Sequence, residues 1–322
     1  MTVISAEMGA HPVVLDRPEA YSHVADNFSE PVETIESMVN YGTHLLMRSW
    51  VSSKRELKDT VVLWVLYKQC LGLADAASEM IRAGCIDPSA LQLRALFEAS
   101  VYLDWILRHD SKRRAKAYYV ANLRRRLTWA RRVIPGTLEN RRFAVDVKDL
   151  NGPLGQTPQE IIDGAQEEVD AVEKFLKRPS LRQMNKAFDR RKRGRFDPSW
   201  YKCVFPKGKR ITLFTLCKQV RRVSEYRLIY DSGSEVMHSS TYQSHVAFEG
   251  KTIRIKSLRS LDDLGRVLQL VFSELLHVLS TIHSNYRPEE AAQFADHYKS
   301  NWRKMNLTQY SVDYSYTEKV VE

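Results

Sequence analysis

Only four cysteines stand in 322 residues, at Cys70, Cys85, Cys203 and Cys217, and none forms a C-x-x-C pair. No histidine lies at finger-like spacing from any of them, so a structural zinc site is not expected. Four is also too few for a secreted disulfide framework in a chain this long. Cys70, inside an apolar run, reads as a buried free thiol. The sequence has no phosphate-binding P-loop, no G-x-G-x-x-G and no H-E-x-x-H. Nucleotide-driven work and metal-dependent hydrolysis therefore lack their usual signals, and no cofactor is expected. Met1–Ala10 carries no basic start followed by an apolar core, so no signal peptide is read there. The longest apolar run, Val61–Tyr67, is seven residues. About 20 are needed to span a bilayer. A cytoplasmic location without a membrane partner is the expectation.

What is present is the profile of a soluble globular protein: 43% hydrophobic, 10% aromatic and 27% charged. Lys and Arg number 49 against 39 Asp and Glu, a net charge of +10. That excess is unevenly placed. Residues 108–222 hold 30 basic and 12 acidic residues, a local +18, while the remainder carries −8. Two clusters dominate the basic segment. One contains Arg124, Arg125, Arg131 and Arg132, interleaved with Tyr118, Tyr119 and Trp129. The other contains Arg190, Arg191, Lys192, Arg193, Lys209 and Arg210. Aromatics beside arginine can stack on unpaired bases while the cations meet phosphates. The same arginines can instead form a solvated face, their stems covering apolar surface, or meet an acidic partner.

Apolar periodicity predicts about nine helices and little strand. Residues 1–30, with His11-Pro12 and Arg17-Pro18, read as an irregular arm. Residues 31–304 read as one helical domain containing the basic segment at 108–222. Residues 305–322 read as a polar tail. Within the domain, Leu57–Ala83 is apolar around most of its circumference, and Gly84 suits a helix C-cap. Asp87-Pro88 opens the next helix, and Thr157-Pro158-Gln159-Glu160 has capping-box form. HVAFEG and KTIRIKS alternate as a small β-hairpin near 245–257 would. The fold class expected is all-α, an antiparallel helical bundle.

Two helix-borne constellations could carry chemistry. Arg94 and Glu98 are four apart on a helix that otherwise looks buried, so they share a face. They read as an internal ion pair or as part of a polar pocket. Tyr226, Tyr230, Ser234 and His238 follow at four-residue steps and form a polar stripe. His238 in such a stripe is a satisfied core histidine or an acid–base group. Ser234 with His238 lacks the glycine-rich elbow and the orienting acid of a serine hydrolase. His277 and His283, six apart, make no tidy helical ligand pair.

The segments LQLRALFEASVYLDWIL and YRLIYDSGSEVMHS together resemble a bacterial helical family of unknown function similar to HEPN-type domains. In that family an R-x-L-x-E helix precedes one bearing Y-x3-S-x3-H. The matching residues are Arg94, Leu96 and Glu98, then Tyr230, Ser234 and His238. The resemblance implies a helical bundle that binds nucleic acid, RNA before DNA, in a bacterial toxin or anti-phage system. Many HEPN-type proteins are metal-independent ribonucleases that carry an Arg followed by four to six residues and then a His. No Arg occupies that window before His238, His277 or His283. The resemblance then implies that Arg94 supplies the cation and His238 the acid–base, with Glu98, Tyr230 and Ser234 beside them. A homodimer or a partner protein of the same system is the further expectation, and a non-catalytic scaffold the alternative.

Overall fold

Asp16 caps the first helix: its carboxylate accepts from the Glu19 amide at 2.9 Å. Pro18 sits in the first turn, where an amide hydrogen has no intrahelical partner anyway. The computed structural model describes residues 15–52, 57–148, 157–194, 196–206, 208, 210–237, 245–249 and 252–307. Helix α1 runs Arg17–Ser52, so residues 17–30 are helical and not part of an irregular arm. The signal was a stripe at steps of four and three. Ala20, Val24, Phe28, Val32 and Ile35 are all buried, and burying that stripe outweighs the cost of Pro31 within the helix. Residues 1–14 lie outside the described residues.

The other long helices are α2 (Leu57–Arg82), α3 (Ile86–Arg108), α4 (Ser111–Val133), α5 (Leu138–Asp146), α6 (Gln159–Lys177) and α7 (Pro179–Asp189). After a short 3-10 turn at Trp200–Cys203 come α8 (Leu213–Val220) and α9. The latter runs Val223–Glu225, widens into a π-turn at Tyr226–Asp231 and continues as Ser232–Met237. One antiparallel hairpin follows, Val246–Glu249 on Thr252–Ile255, with Val246 opposite Ile255 and Glu249 opposite Thr252. Helix α10 (Leu264–Tyr286) precedes α11, which is built from Ala291–His297, a π-turn at Tyr298–Trp302 and Arg303–Leu307. The expected tail at 305–322 thus starts as helix, and residues 308–322 lie outside the described residues. The protein is all-α.

Gly84 ends α2 as expected. Its φ is +70°; its amide bonds Ile81 O at 2.8 Å and the Cys85 amide bonds Met80 O at 2.8 Å, the paired bonds of a Schellman cap. Thr157 does not cap α6. Pro158 immediately precedes that helix and no side chain closes it.

Contacts divide the chain into two compact units, Met1–Leu107 with Leu213–Glu322, and Arg108–Thr212. In the first, α1 and α2 run antiparallel. Glu36 pairs with Arg82, the Gly42 carbonyl accepts from Tyr67 at 2.9 Å, and Trp50 lies 6.2 Å from Trp64, so rising numbers meet falling ones. The α2 core face is Leu63, Trp64, Leu66, Tyr67 and Cys70, while Val61 and Val65 are exposed. That helix is therefore less completely enclosed than its composition predicts. Helix α10 is long and apolar enough to cross a membrane. Its residues Leu268, Val271, Phe272, Leu275 and Leu279 are sealed in the core instead.

In the second unit α4 packs against α5, α6, α7 and the Trp200 turn. Its core is small, with Ala130, Ala165 and Val169 at one end and Leu181, Phe188 and Trp200 buried elsewhere. This unit takes in most of the basic segment. Lys218, Arg221 and Arg222, at that segment's end, fall in the first unit.

Candidate functional site

Helix α8 ends in a turn for which a glycine would be usual. Arg221 adopts φ +63°, with its amide on Lys218 O and the Arg222 amide on Cys217 O at 2.9 Å. A left-handed conformation costs a non-glycine residue roughly 1 kcal/mol. The turn sends Arg222 inward, where it is 3% exposed. Its guanidinium grips both Glu274 oxygens at 2.7 and 2.6 Å, bonds Ser100 Oγ at 2.8 Å and meets Asp104 at 3.1 Å. Glu274 is equally buried, at 2%. The Ser100 hydroxyl also donates to Glu274.

Asp104 links this buried knot to the surface. Its second contact is His277, Nε2 to Oδ2 at 2.8 Å, and Thr281 donates to its other oxygen at 3.2 Å. Burial alone would raise the Asp104 carboxyl, but His277 and Arg222 outweigh it and hold it below the usual carboxylate value. The His277 side chain is 40% exposed. With Nε2 bonded to a carboxylate, Nδ1 carries the free lone pair, and it has no partner among the described residues. This carboxylate-oriented imidazole can hold or move a proton at Nδ1. Sequence reasoning missed it by asking only whether His277 paired with His283. The legible signal was polar residues at helical steps on apolar helices: Ser100 and Asp104 on α3, and Glu274 and His277 on α10.

The two constellations read from sequence do meet. The Arg94 guanidinium lies over the Tyr230 ring at 4.3 Å and reaches Met237 Sδ at 3.0 Å. Gly233 permits this, since a Cβ there would stand 2.7 Å from Arg94 Cβ. Tyr226 and Tyr230 stack at 4.8 Å, so the first step of the predicted stripe shares one face. The π-turn across Tyr226–Asp231 sets that stacking; such turns recur at functional sites. Arg94 and Glu98 form no ion pair. Glu98 accepts from Tyr102 on its own helix, because the Arg94 side chain is drawn to α9. Ser234 is half-buried and has no hydrogen-bond partner among the described residues. His238 lies outside the described residues.

The basic residues of the second unit divide sharply. Arg124 is enclosed, bonding Asp197 at 2.8 and 2.9 Å, Asn185 at 2.5 Å and Asp189 at 2.9 Å. Arg131 is held by Glu173 at 2.7 Å. Both act as cross-links of this unit. Arg125 is exposed and without an ion pair among the described residues, and Arg132 lies on Trp129 at 4.2 Å. Trp129 is 57% exposed and Tyr119 37%. Tyr118 instead packs edge-on against Trp200 at 5.3 Å. Tyr119, Asn122, Arg126 and Trp129 follow at steps of three and four, hence share one face of α4. Asn122, Arg125, Arg126 and Trp129 border a groove of about 470 Å³ floored by Ala130, Val133 and Ala165, in which Glu168 holds Arg126 at 2.6 Å. Arg190, Lys192, Arg193 and Arg210 are exposed, and Arg191 donates to the Phe205 carbonyl. Lys209 lies outside the described residues.

Residues 60–252 match a family model, the family of unknown function (DUF5677). The match takes in Arg94, Glu98, the whole second unit, Arg222, Tyr230 and Ser234, and stops short of Glu274 and His277. No curated protein and no solved structure matches the chain.

Proposed function

The chain belongs to the family of unknown function DUF5677, and from its geometry we propose that it binds single-stranded nucleic acid along the exposed face of α4. One observation carries the reading: Trp129 and Tyr119 stand out to solvent on the helix that bears Arg125 and Arg132, which are not neutralised by carboxylates among the described residues. Flat π-faces next to unneutralised guanidiniums are what unpaired bases and their phosphates require. The preference for RNA, and a setting in a bacterial toxin or anti-phage system, rest on the resemblance to HEPN-type domains. Stacking contributes about 1–3 kcal/mol per base. Fluorescence anisotropy with a labelled single-stranded RNA should therefore show Trp129→Ala weakening binding by about tenfold. Undiminished affinity in a Trp129→Ala, Arg125→Ala protein would sink the reading.

Metal-independent cleavage of the bound strand is the catalytic form of this proposal. Arg94 would meet the charge on the reacting phosphate and His238 would act as acid–base. The support is that Arg94 lies on Tyr230 and beside Met237, the residue before His238. Cleavage in the presence of a chelator, lost in His238→Ala at an unchanged melting temperature, is the expected result. Loss in His277→Ala alone would move the chemistry to the Asp104–His277 pair.

The scaffold alternative draws on a different observation. Met47, Trp50 and Val51 at the end of α1, and Val61 and Val65 on α2, are all exposed. A stable dimer in a solution mass measurement, together with no retention of RNA, would favour it.

A further inference from the structure

We propose that a second cleft in the Arg108–Thr212 unit binds the phosphate monoester of a nucleotide, either free or at the end of a strand. The cleft has a volume of about 530 Å³ and is walled by α4, α7 and the turn after Trp200. That size lies within the ordinary range for small-molecule sites. Among the described residues four cations line it, Arg113, Lys116, Arg190 and Arg191, and no carboxylate does. Asp110 approaches Arg113 no closer than 3.9 Å. Lys116 and Arg190 have no ion pair among the described residues. A neighbouring cleft of the same unit makes the comparison. There Arg124, Arg131 and Lys177 are matched by Glu139, Glu173, Asp189 and Asp197. One cleft is neutralised from within; the other leaves its charge for a ligand to balance.

The chemistry of the walls narrows that ligand. A phosphate monoester carries about −1.5 to −2 charges near pH 7 and three strong acceptor oxygens. Guanidiniums recognise such oxygens two at a time. A phosphodiester inside a strand brings only one charge to the same cations. Ser180 and Gln183 add polar groups at the rim, while Met184, Ala187, Cys203 and Phe205 form an apolar side suited to a base and sugar. Cys203 belongs to that wall and is no nucleophile: burial pushes its thiol up to about 11, so it stays protonated at neutral pH. At roughly 100° per residue, Arg113 and Lys116 lie on the opposite side of α4 from Asn122 and Trp129. The cleft is thus separate from the stacking face and does not depend on it.

Calorimetry with adenosine 5′-monophosphate and adenosine tests the cleft directly. A parallel arm compares one labelled single-stranded RNA with a 5′-phosphate and with a 5′-hydroxyl. The monophosphate should bind at least about tenfold tighter than adenosine, and a Lys116→Ala, Arg190→Ala protein should lose that preference. Its thermal melt should be unchanged, since both side chains are at the cleft surface. A matching 5′-phosphate preference in the RNA arm identifies a strand end as the source. Its absence, with the monophosphate still bound, identifies a free nucleotide. Equal binding of adenosine and its monophosphate, or a preference that survives the double substitution, overturns the proposal. Should no strand bind at all, the α4 reading fails while the calorimetric arm still decides the cleft.

Discussion

Arg222 concentrates more of the first unit's electrostatics than any other described residue. It is buried against Glu274 and Asp104 with nearly every donor used. Removing one partner of such a group leaves the others charged and desolvated, at a cost of about 3–5 kcal/mol. Arg222→Met should lower the stability measured by urea denaturation by that amount. Adding Glu274→Gln should recover part of the loss, because the stranded carboxylate goes with it. His283 makes a second residue-level prediction. It is buried, bonded through Nε2 to the Tyr41 hydroxyl at 2.9 Å and stacked on Phe294 at 4.3 Å. Burial lowers its imidazole below the usual 6.5; Glu290 and the backbone hydrogen bond with Arg287 oppose this, while the Arg48 and Arg287 charges add to the lowering. The unfolded chain then takes up the proton first. Stability is full above about pH 6.5 and falls as pH drops from there toward the folded value, by at most ~1.4 kcal/mol per pH unit. Urea midpoints of His283→Phe should lose this slope between pH 7 and 5.5; a variant as steep as the native chain would refute it.

Helices bring the distant motifs together, and one glycine sets how closely. Gly233 on α9 meets Arg94 on α3 at its Cβ, an atom fixed to the backbone and unable to swing away. Alanine at that position gains about 1 kcal/mol of helix propensity, but overpacking costs ~1–3 kcal/mol. Gly233→Ala should therefore lower the melting temperature and separate Arg94 from Tyr230. An unchanged melt would show the approach to be looser than the structure has it. The same helices explain which expectations failed. Helix α1 begins at Arg17 because a buried stripe from Ala20 to Ile35 outweighs the cost of Pro31, while Pro18 in the first turn forfeits no hydrogen bond. Of the two readings of Arg94 and Glu98, the ion pair is absent because each finds a nearer partner, Tyr230 for one and Tyr102 for the other.

Charge is the property of the whole molecule with the clearest consequence. Residues 108–212 carry 27 Lys and Arg against 12 Asp and Glu, a net +15, and coincide with one compact unit. Many of these charges are internal cross-links, as Arg124 and Arg131 show. Arg126 is already paired with Glu168, so Arg125 and Arg132 beside Trp129 would neutralise about two phosphates. At about 0.7 per phosphate for a single strand, the log–log salt slope of binding should be about −1.4. Arg125→Ala should flatten that slope by about 0.7, whereas Trp129→Ala should weaken binding and leave the slope alone. Binding insensitive to salt would contradict the electrostatic account.

The start of α1 at Arg17 and helix α5 were not legible in the sequence, but most of the helices, the hairpin near 245–257 and the position of the basic segment were. Each is written in local patterns: apolar steps of three and four, Gly84 at a helix end, charge counted along the chain. The juxtaposition of Arg94 with Tyr230 was legible only as a resemblance. The Arg222–Glu274–Asp104–His277 network was hidden, because its members are 52 and 118 positions apart along the chain, counting from Arg222 to Glu274 and to Asp104. No local pattern marks which buried cation will meet which carboxylate. The net charge of a segment follows from composition. Which arginines remain available to a ligand was decided by the tertiary structure, since a guanidinium is spent or free according to the carboxylates that folding brings within 3 Å of it.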